Sequence, residues 1–240
     1  MKIAEKGKRN QDNWIYQEVF DAILEQRLAP GTKLSEDALG EVFGVSRTVI
    51  RKVLLRLSHE KIVAIRPNRG AVVSIPSIKE AKDTFDARRW IERGVVRRAC
   101  ETISKADIGI LTKLVQKEHE AYADNNKSEG IQLSGAFHLK LAEIAGNETL
   151  QEYLKELVTR SSLIVAHYES NSAHTCTHND HKDLITALAD GNSDKAVALM
   201  EDHLQAIEDK LNLSEADSET NNLKQIFSSV AINRTDVHQT

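Results

Sequence analysis

The run Ser46-Arg47-Thr48-Val49-Ile50-Arg51-Lys52-Val53-Leu54-Leu55-Arg56-Leu57 constrains this chain more than any other stretch. Ile50, Val53, Leu54 and Leu57 recur at the spacing of one helix face, and Arg47, Thr48 and Arg51 share another face at the helix start. Such a helix buries one side and offers guanidinium forks and a hydroxyl on the other, groups that reach phosphates and the O6/N7 edge of guanine. Just upstream, Leu39, Val42 and Phe43 form the apolar stripe of a shorter helix, Gly44 permits a sharp turn, and Ser46 stands where its hydroxyl can cap the next helix. The pair reads as a helix-turn-helix. Taken alone it also fits an amphipathic helix with a solvated basic face, so the neighbouring segments decide.

Ile62-Val63-Ala64-Ile65 and Ala71-Val72-Val73-Ser74-Ile75 are β-prone runs joined by the turn-forming Pro67-Asn68-Arg69-Gly70, which makes a hairpin. Placed after a recognition helix it is a wing, with Arg69 beside Gly70 at a tip suited to the minor groove. From Asp12 to Leu28, Ile15, Val19, Ala22 and Ile23 recur at helical spacing before Pro30-Gly31. Three helices and a hairpin over residues 12–76 make a winged helix-turn-helix, preceded by a polar, basic arm at 1–11 that is expected to be loose. Charge follows the same division. The net charge of −4 argues against nucleic acid, yet residues 1–76 hold 13 Lys/Arg against 9 Asp/Glu, and the remainder 19 against 27. A basic module on an acidic body favours one docking face for DNA.

No proline follows Pro76, and helical periodicity runs over 78–103, 105–123, 128–145, 148–170, 179–190 and 193–211. Six helices of that length make an all-α bundle over 77–212, so the fold class is mainly α, with a polar tail at 213–240 whose one apolar patch is Leu223, Ile226, Phe227 and Val230. No stretch approaches the apolar length of a membrane span and the N-terminus lacks a signal-peptide core, so the chain is expected in the cytoplasm. Cys100 and Cys176 have no metal or redox spacing and receive no role.

Pro30-Gly31-x-x-Leu34, Leu39, Gly44-Val45-Ser46-Arg47-Thr48, Arg51, Leu54, Leu57 and Gly70-x-Val72 resemble the DNA-binding domain of the GntR family of bacterial transcription regulators. The resemblance implies that Ser46, Arg47, Thr48 and Arg51 touch double-stranded operator DNA, with Arg69 and Gly70 of the wing in the minor groove. Val49 stands where many relatives have proline, and Lys52 where many have glutamate. Phe137-His138-x-x-Leu141-Ala142-x-x-Ala145-Gly146-Asn147, His181-x-x-Leu184-Ile185-x-Ala187-Leu188-x-x-Gly191-Asn192 and His203-Leu204, with Arg88-x-x-Ile91-Glu92, resemble the FCD effector domain of the FadR subgroup. That subgroup implies a divalent metal such as zinc, nickel or manganese on His138, His181 and His203, and a small carboxylate effector in the same place. The aspartate expected one turn before His138 is Ser134 here, so one ligand is missing.

Three readings of the histidines stay open: a three-histidine metal site with an open position, a metal-free cavity whose imidazoles bond an anionic effector, and ordinary packed histidines. Arg88 could anchor the effector carboxylate or pair with Glu92 one turn on. The run His174-Thr175-Cys176-Thr177-His178-Asn179-Asp180-His181 fits a solvated loop better than a second metal site. The leading expectation is a homodimeric, ligand-responsive repressor. An effector-independent DNA-binding dimer and a metal-dependent enzyme are the alternatives, and the enzyme lacks HExxH, GxSxG and phosphate-loop motifs.

Overall fold

A computed structural model describes residues 2–25, 27–66, 70–168 and 178–213. The chain runs α1 (Lys2–Leu24), β1 (Lys33–Leu34), α2 (Glu36–Phe43), α3 (Arg47–His59), β2 (Val63–Arg66) and β3 (Gly70–Val73). It continues as α4 (Ile78–Thr102), α5 (Lys105–Ala123), α6 (Lys127–Ile144), α7 (Glu148–Tyr168), α8 (His178–Ala189) and α9 (Ser193–Asp209). The mainly α expectation and the six helices after Pro76 stand, with bounds within two residues of those read from periodicity. The caps explain this agreement: Ser77 with Glu80 and Ser104 with Asp107 form capping boxes, and Asn126 and Asn192 accept from backbone N–H groups at the starts of α6 and α9.

In the winged part the hairpin pairs Ala64 with Val72 and Arg66 with Gly70. A third strand, β1, joins the other side of β3, Leu34 opposite Ala71, giving the antiparallel order β1-β3-β2. Ser35 caps α2, and Gly44 at φ 64° ends it, where a side chain would be strained. Four local expectations need correction. The supposed loose arm is helical, because α1 starts at Lys2; its Ala, Glu, Lys and Arg content favours helix and no proline interrupts it. That helix stops at Leu24, not Leu28. Val42 belongs to no buried stripe and is 75% exposed, since the eight-residue α2 turns only Gly40, Leu39 and Phe43 inward. Ser46 is the N-cap of α3 by its extended backbone, but its hydroxyl makes no capping bond. The wing tip with Arg69, the run 174–177 with Cys176, and the tail from 214 lie outside the described residues.

Two large cores and two smaller clusters hold the described residues together. Ile15, Val19 and Ile23 of α1 pack with Ile50, Val53, Leu54 and Leu57 of α3 and with Val63 and Val73 of the sheet. In the bundle Val95, Leu111, Phe137, Leu141, Leu154, Leu184, Met200 and Leu204 bring together all six helices. One turn of α7 joins these regions: Leu163 belongs to the winged core, Ile164 packs with Phe85 and Tyr168, and Ala166 packs with Leu24 of α1 and Ile131 of α6. Gln132 donates to Asp21 at 2.8 Å, and the Tyr168 hydroxyl donates to the Pro76 carbonyl, so polar contacts tie the two parts as well.

Candidate functional site

Burial of one face of α3 leaves Ser46, Arg47, Thr48, Arg51 and Lys52 exposed together at its N-terminal end. Gly70 is exposed at φ 75°, a conformation that favours glycine. A groove of about 270 Å³ between α3 and the sheet is lined by Lys33, Glu36, Arg51, Ile65 and Gly70. Of the six residues expected at DNA, Ser46, Arg47, Thr48 and Arg51 are exposed at one end of α3, Arg51 and Gly70 share this groove, and Arg69 lies outside the described residues. Val49 tolerates the position where proline is common: its side chain packs against the winged core, and its N–H bonds the Ser46 carbonyl at 3.0 Å. Acidic neighbours were not anticipated. Arg51 is bonded by Glu36 and Arg47 by Asp37, from the first turn of α2.

The second constellation is inside the bundle. His138 of α6, His181 of α8 and His203 of α9 are buried, and ligand atoms of the three rings lie within 4.8 Å of one another. A tetrahedral ion with bonds of about 2.1 Å would separate its ligand atoms by about 3.4 Å, so the three rings would have to close on an ion to hold it. Two carboxylates set the rings. Glu92 Oε2 lies 2.5 Å from His138 Nδ1, and Glu118 Oε2 lies 2.9 Å from His181 Nδ1.

Electrostatics assigns the protons. Burial first, against the attraction of Glu92, pushes His138 down to about 4. Glu92 falls to about 2: burial raises it, and Arg88 and His138 outweigh that rise. His138 is thus a neutral imidazole donating Nδ1–H to an ionised Glu92, and its Nε2 is a buried lone pair with no partner. His181 Nδ1 lies 2.9 Å from Glu118 Oε2, and its Nε2 lies 3.1 Å from His203 Nε2, so only one of those two Nε2 atoms can carry the proton between them. His203 is pushed down to about 3, by burial and then by His181. For all three Nε2 atoms to face an ion, a neutral His203 must carry its proton on Nδ1, which lies 3.5 Å from Asp180 Oδ2.

Beside the rings a small cavity, about 40 Å³, is lined by Arg88, Ser134, His138, Ser161, Ser162 and Lys210. Arg88 is paired as the i,i+4 spacing allowed: Nε donates to Glu92 Oε1 at 2.8 Å and Nη1 to Ser161 Oγ at 2.9 Å. Its Nη2 lies 2.7 Å from the same Glu92 oxygen in an ion contact too bent for a hydrogen bond. Of the four residues expected at an effector site, Arg88 and His138 line this cavity with Ser134, and the rings of His181 and His203 stand next to His138. Glu118 was missed, although Leu111, Val115, Glu118 and Ala121 form one buried stripe and a carboxylate in an apolar stripe is itself a signal.

Residues 12–73 match the bacterial regulatory proteins of the gntR family, and residues 83–206 match the FCD domain. The HTH-type transcriptional repressor RspR of Escherichia coli strain K12 is 26% identical over 82% of this chain and 87% of its own length. The Uxu operon regulator of Haemophilus influenzae is 30% identical, covering 75% of this chain and 74% of that protein. Among solved structures, E. coli McbR/YncC superposes with a TM-score of 0.71 at 20% identity, over 82% of this chain and 94% of that one.

Proposed function

Because this chain belongs to the gntR family of bacterial regulatory proteins and carries an FCD domain, we propose that it is a homodimeric repressor released from operator DNA by a small carboxylate held on a metal in the bundle. DNA binding and regulation of transcription come with the family; the repressing sense, the ligand, the ion and the dimer are the further reading. The observation that carries it is the cluster of three buried imidazoles, one of which, His138, lines a cavity together with Arg88. His138, His181 and His203 would hold a zinc, nickel or manganese ion, for which imidazole is a suitable donor. When bound, that ion would supply a positive anchor for a carboxylate, beside the cavity wall formed by Arg88 and Ser134. Ser134 is a weak ligand, so the fourth position falls to water or to the effector itself.

The link to DNA is α7. Ser161 and Ser162 border the cavity, while Leu163 sits in the winged core, so a ligand that shifts α7 shifts the recognition helix. Coupling of about 1–3 kcal/mol suffices to change occupancy of two half-sites. For the dimer, Ala87 and Leu157 line one groove, and Trp90 and Tyr153, one turn beyond each, are 66% and 59% exposed. Aromatic groups at that exposure suit a subunit interface. Among the described residues no helix is long and apolar enough to cross a membrane, in keeping with a regulator that acts on cytoplasmic DNA.

A metal-free cavity is the second reading, favoured by the 3.1 Å bond between His181 and His203, which pairs their Nε2 atoms without an ion. A thermal-shift screen of small carboxylates, each with EDTA or with zinc, nickel or manganese, separates the two. A ligand at about a hundred times its Kd adds about 2.7 kcal/mol. Stabilisation that needs both metal and acid is the expected result; stabilisation by acid in EDTA selects the second reading, and none under any condition refutes both.

A further inference from the structure

The arginines of the recognition helix do not stand free. Arg51 donates Nε to Glu36 Oε1 at 2.8 Å and Nη2 to Glu36 Oε2 at 2.6 Å, a fork-on-fork pair, and Arg47 Nε pairs with Asp37. Glu36 and Asp37 are the first two residues of α2, where the helix dipole favours their charge, and the helix-turn-helix brings that end against the start of α3. The bond to Arg51 holds the Glu36 carboxyl below its ordinary value, and the same bond raises Arg51. Arg51 is 62% exposed and Glu36 31%, and pairs so open to water add little to stability. Fold stability alone is a poor reason for two carboxylates aimed at the two arginines that DNA requires.

Their effect on binding is twofold. Carboxylates on a surface that meets DNA repel phosphates and cancel the counterion release that drives sequence-independent binding. The pair also selects an edge of the guanidinium. Glu36 occupies the Nε/Nη2 side of Arg51, which leaves Nη1 and the outer N–H of Nη2 as an end-on fork. That fork matches the O6 and N7 of guanine. Arg51 presents it from the groove shared with Gly70.

We propose that Glu36 is a specificity-determining residue: it clamps Arg51 so that its end-on fork meets a base, and with Asp37 it removes the charge that would hold α3 on any phosphate backbone. The inference rests on the reading of α3 as the helix that enters DNA.

The test compares the full chain with Glu36→Gln, isosteric and uncharged, on a randomised duplex library and on the sequence that the unaltered chain enriches from that library. Glu36→Gln is expected to tighten binding to the library about 3- to 10-fold near 0.1 M salt and to steepen the log–log salt slope by about one. Preference for the enriched sequence over the library falls about ten-fold. In an Arg51→Ala background the same substitution leaves that preference unchanged. A merely structural role for Glu36 would lower the melting temperature and change both affinities by one factor with the slope intact, which overturns the inference. Weaker binding to the enriched sequence with no gain on the library also overturns it, since Glu36 would then read a base itself. If the unaltered chain enriches nothing, the reading of α3 falls, a failure separable from the others.

Discussion

Replacing Glu92 with glutamine removes one buried charge and strands two groups that depend on it. The carboxylate is 1% exposed, receives Arg88 Nε at 2.8 Å, and holds His138 Nδ1 at 2.5 Å. Deleting one partner of a buried ion pair costs about 3–5 kcal/mol, because the other charge stays in the low-dielectric interior. Glutamine keeps an acceptor oxygen for Arg88, so the lower end, about 3 kcal/mol, applies here. For a chain of this size that lowers Tm by about 6–12 °C. The same change releases the His138 ring, since an amide can donate as well as accept and no longer selects the Nδ1–H tautomer. Loss of such a carboxylate partner lowers metal affinity about 10- to 100-fold. Thermal unfolding followed by circular dichroism, with zinc competition against a chromophoric chelator, reads both effects. A companion variant, Arg88→Met with Glu92→Gln, removes the stranded charge and is expected to recover most of the stability while leaving metal affinity low. A loss below about 1 kcal/mol for Glu92→Gln, the range of exposed pairs, would refute the reasoning. So would a companion variant no more stable than the single one.

Stability should also depend on pH through His138 and His203, held at about 4 and about 3 in the folded chain chiefly by burial. Both lie below the unfolded value of about 6.5, so the unfolded chain binds more protons between these limits, and stability is full above about pH 6.5 and lost as pH falls towards 4 and 3. Denaturant midpoints at stepped pH in EDTA would record that decline, and a flat profile from pH 7 to 4.5 would contradict it. His203→Ala should abolish metal-dependent stabilisation yet leave the metal-free chain binding duplex DNA, as gel shift and thermal melts on the same sample would show. Gly130→Ala should crowd the Tyr122 ring, which a Cβ there would meet at 2.6–2.8 Å. Overpacking of about 1–3 kcal/mol outweighs a helix-propensity gain of about 1 kcal/mol, and denaturant unfolding measures the net loss. Because Tyr122 borders the cavity, carboxylate binding should weaken in the same variant.

What could be read from residues alone was what depends on neighbours in sequence. The buried face of α3, the left-handed turn at Gly44 and the bundle helix bounds all follow from periodicity and punctuation within a few residues. His138, His181 and His203 came from the family resemblance and not from spacing alone; His138 lines a cavity with Arg88, and His181 Nε2 lies 3.1 Å from His203 Nε2. Non-local pairing was not visible. Glu118 reaches His181 across 63 residues, Glu92 reaches His138 across 46, and Glu36 reaches Arg51 across 15. Strand β1 escaped for the same reason, since Lys33 and Leu34 become a strand only by pairing with Val72 and Ala71. The helical start of α1 was missed on a compositional argument: charge suggested a loose arm, whereas helix propensity over the same residues points the other way.

The single turn of α7 that serves three apolar clusters limits how this protein can be divided or recombined. Leu163, Ile164 and Ala166 sit almost consecutively in sequence, yet each completes a different core. A winged segment cut out at the end of its own sheet would leave Leu163's seat open and the Leu24 end of α1 uncovered. A transplanted winged segment from a relative would meet a α7 shaped for another surface. The interchangeable unit is therefore larger than the matched segment at 12–73: it includes a patch of helix nearly a hundred residues downstream, and the two halves of the molecule are free to diverge only as far as that patch allows.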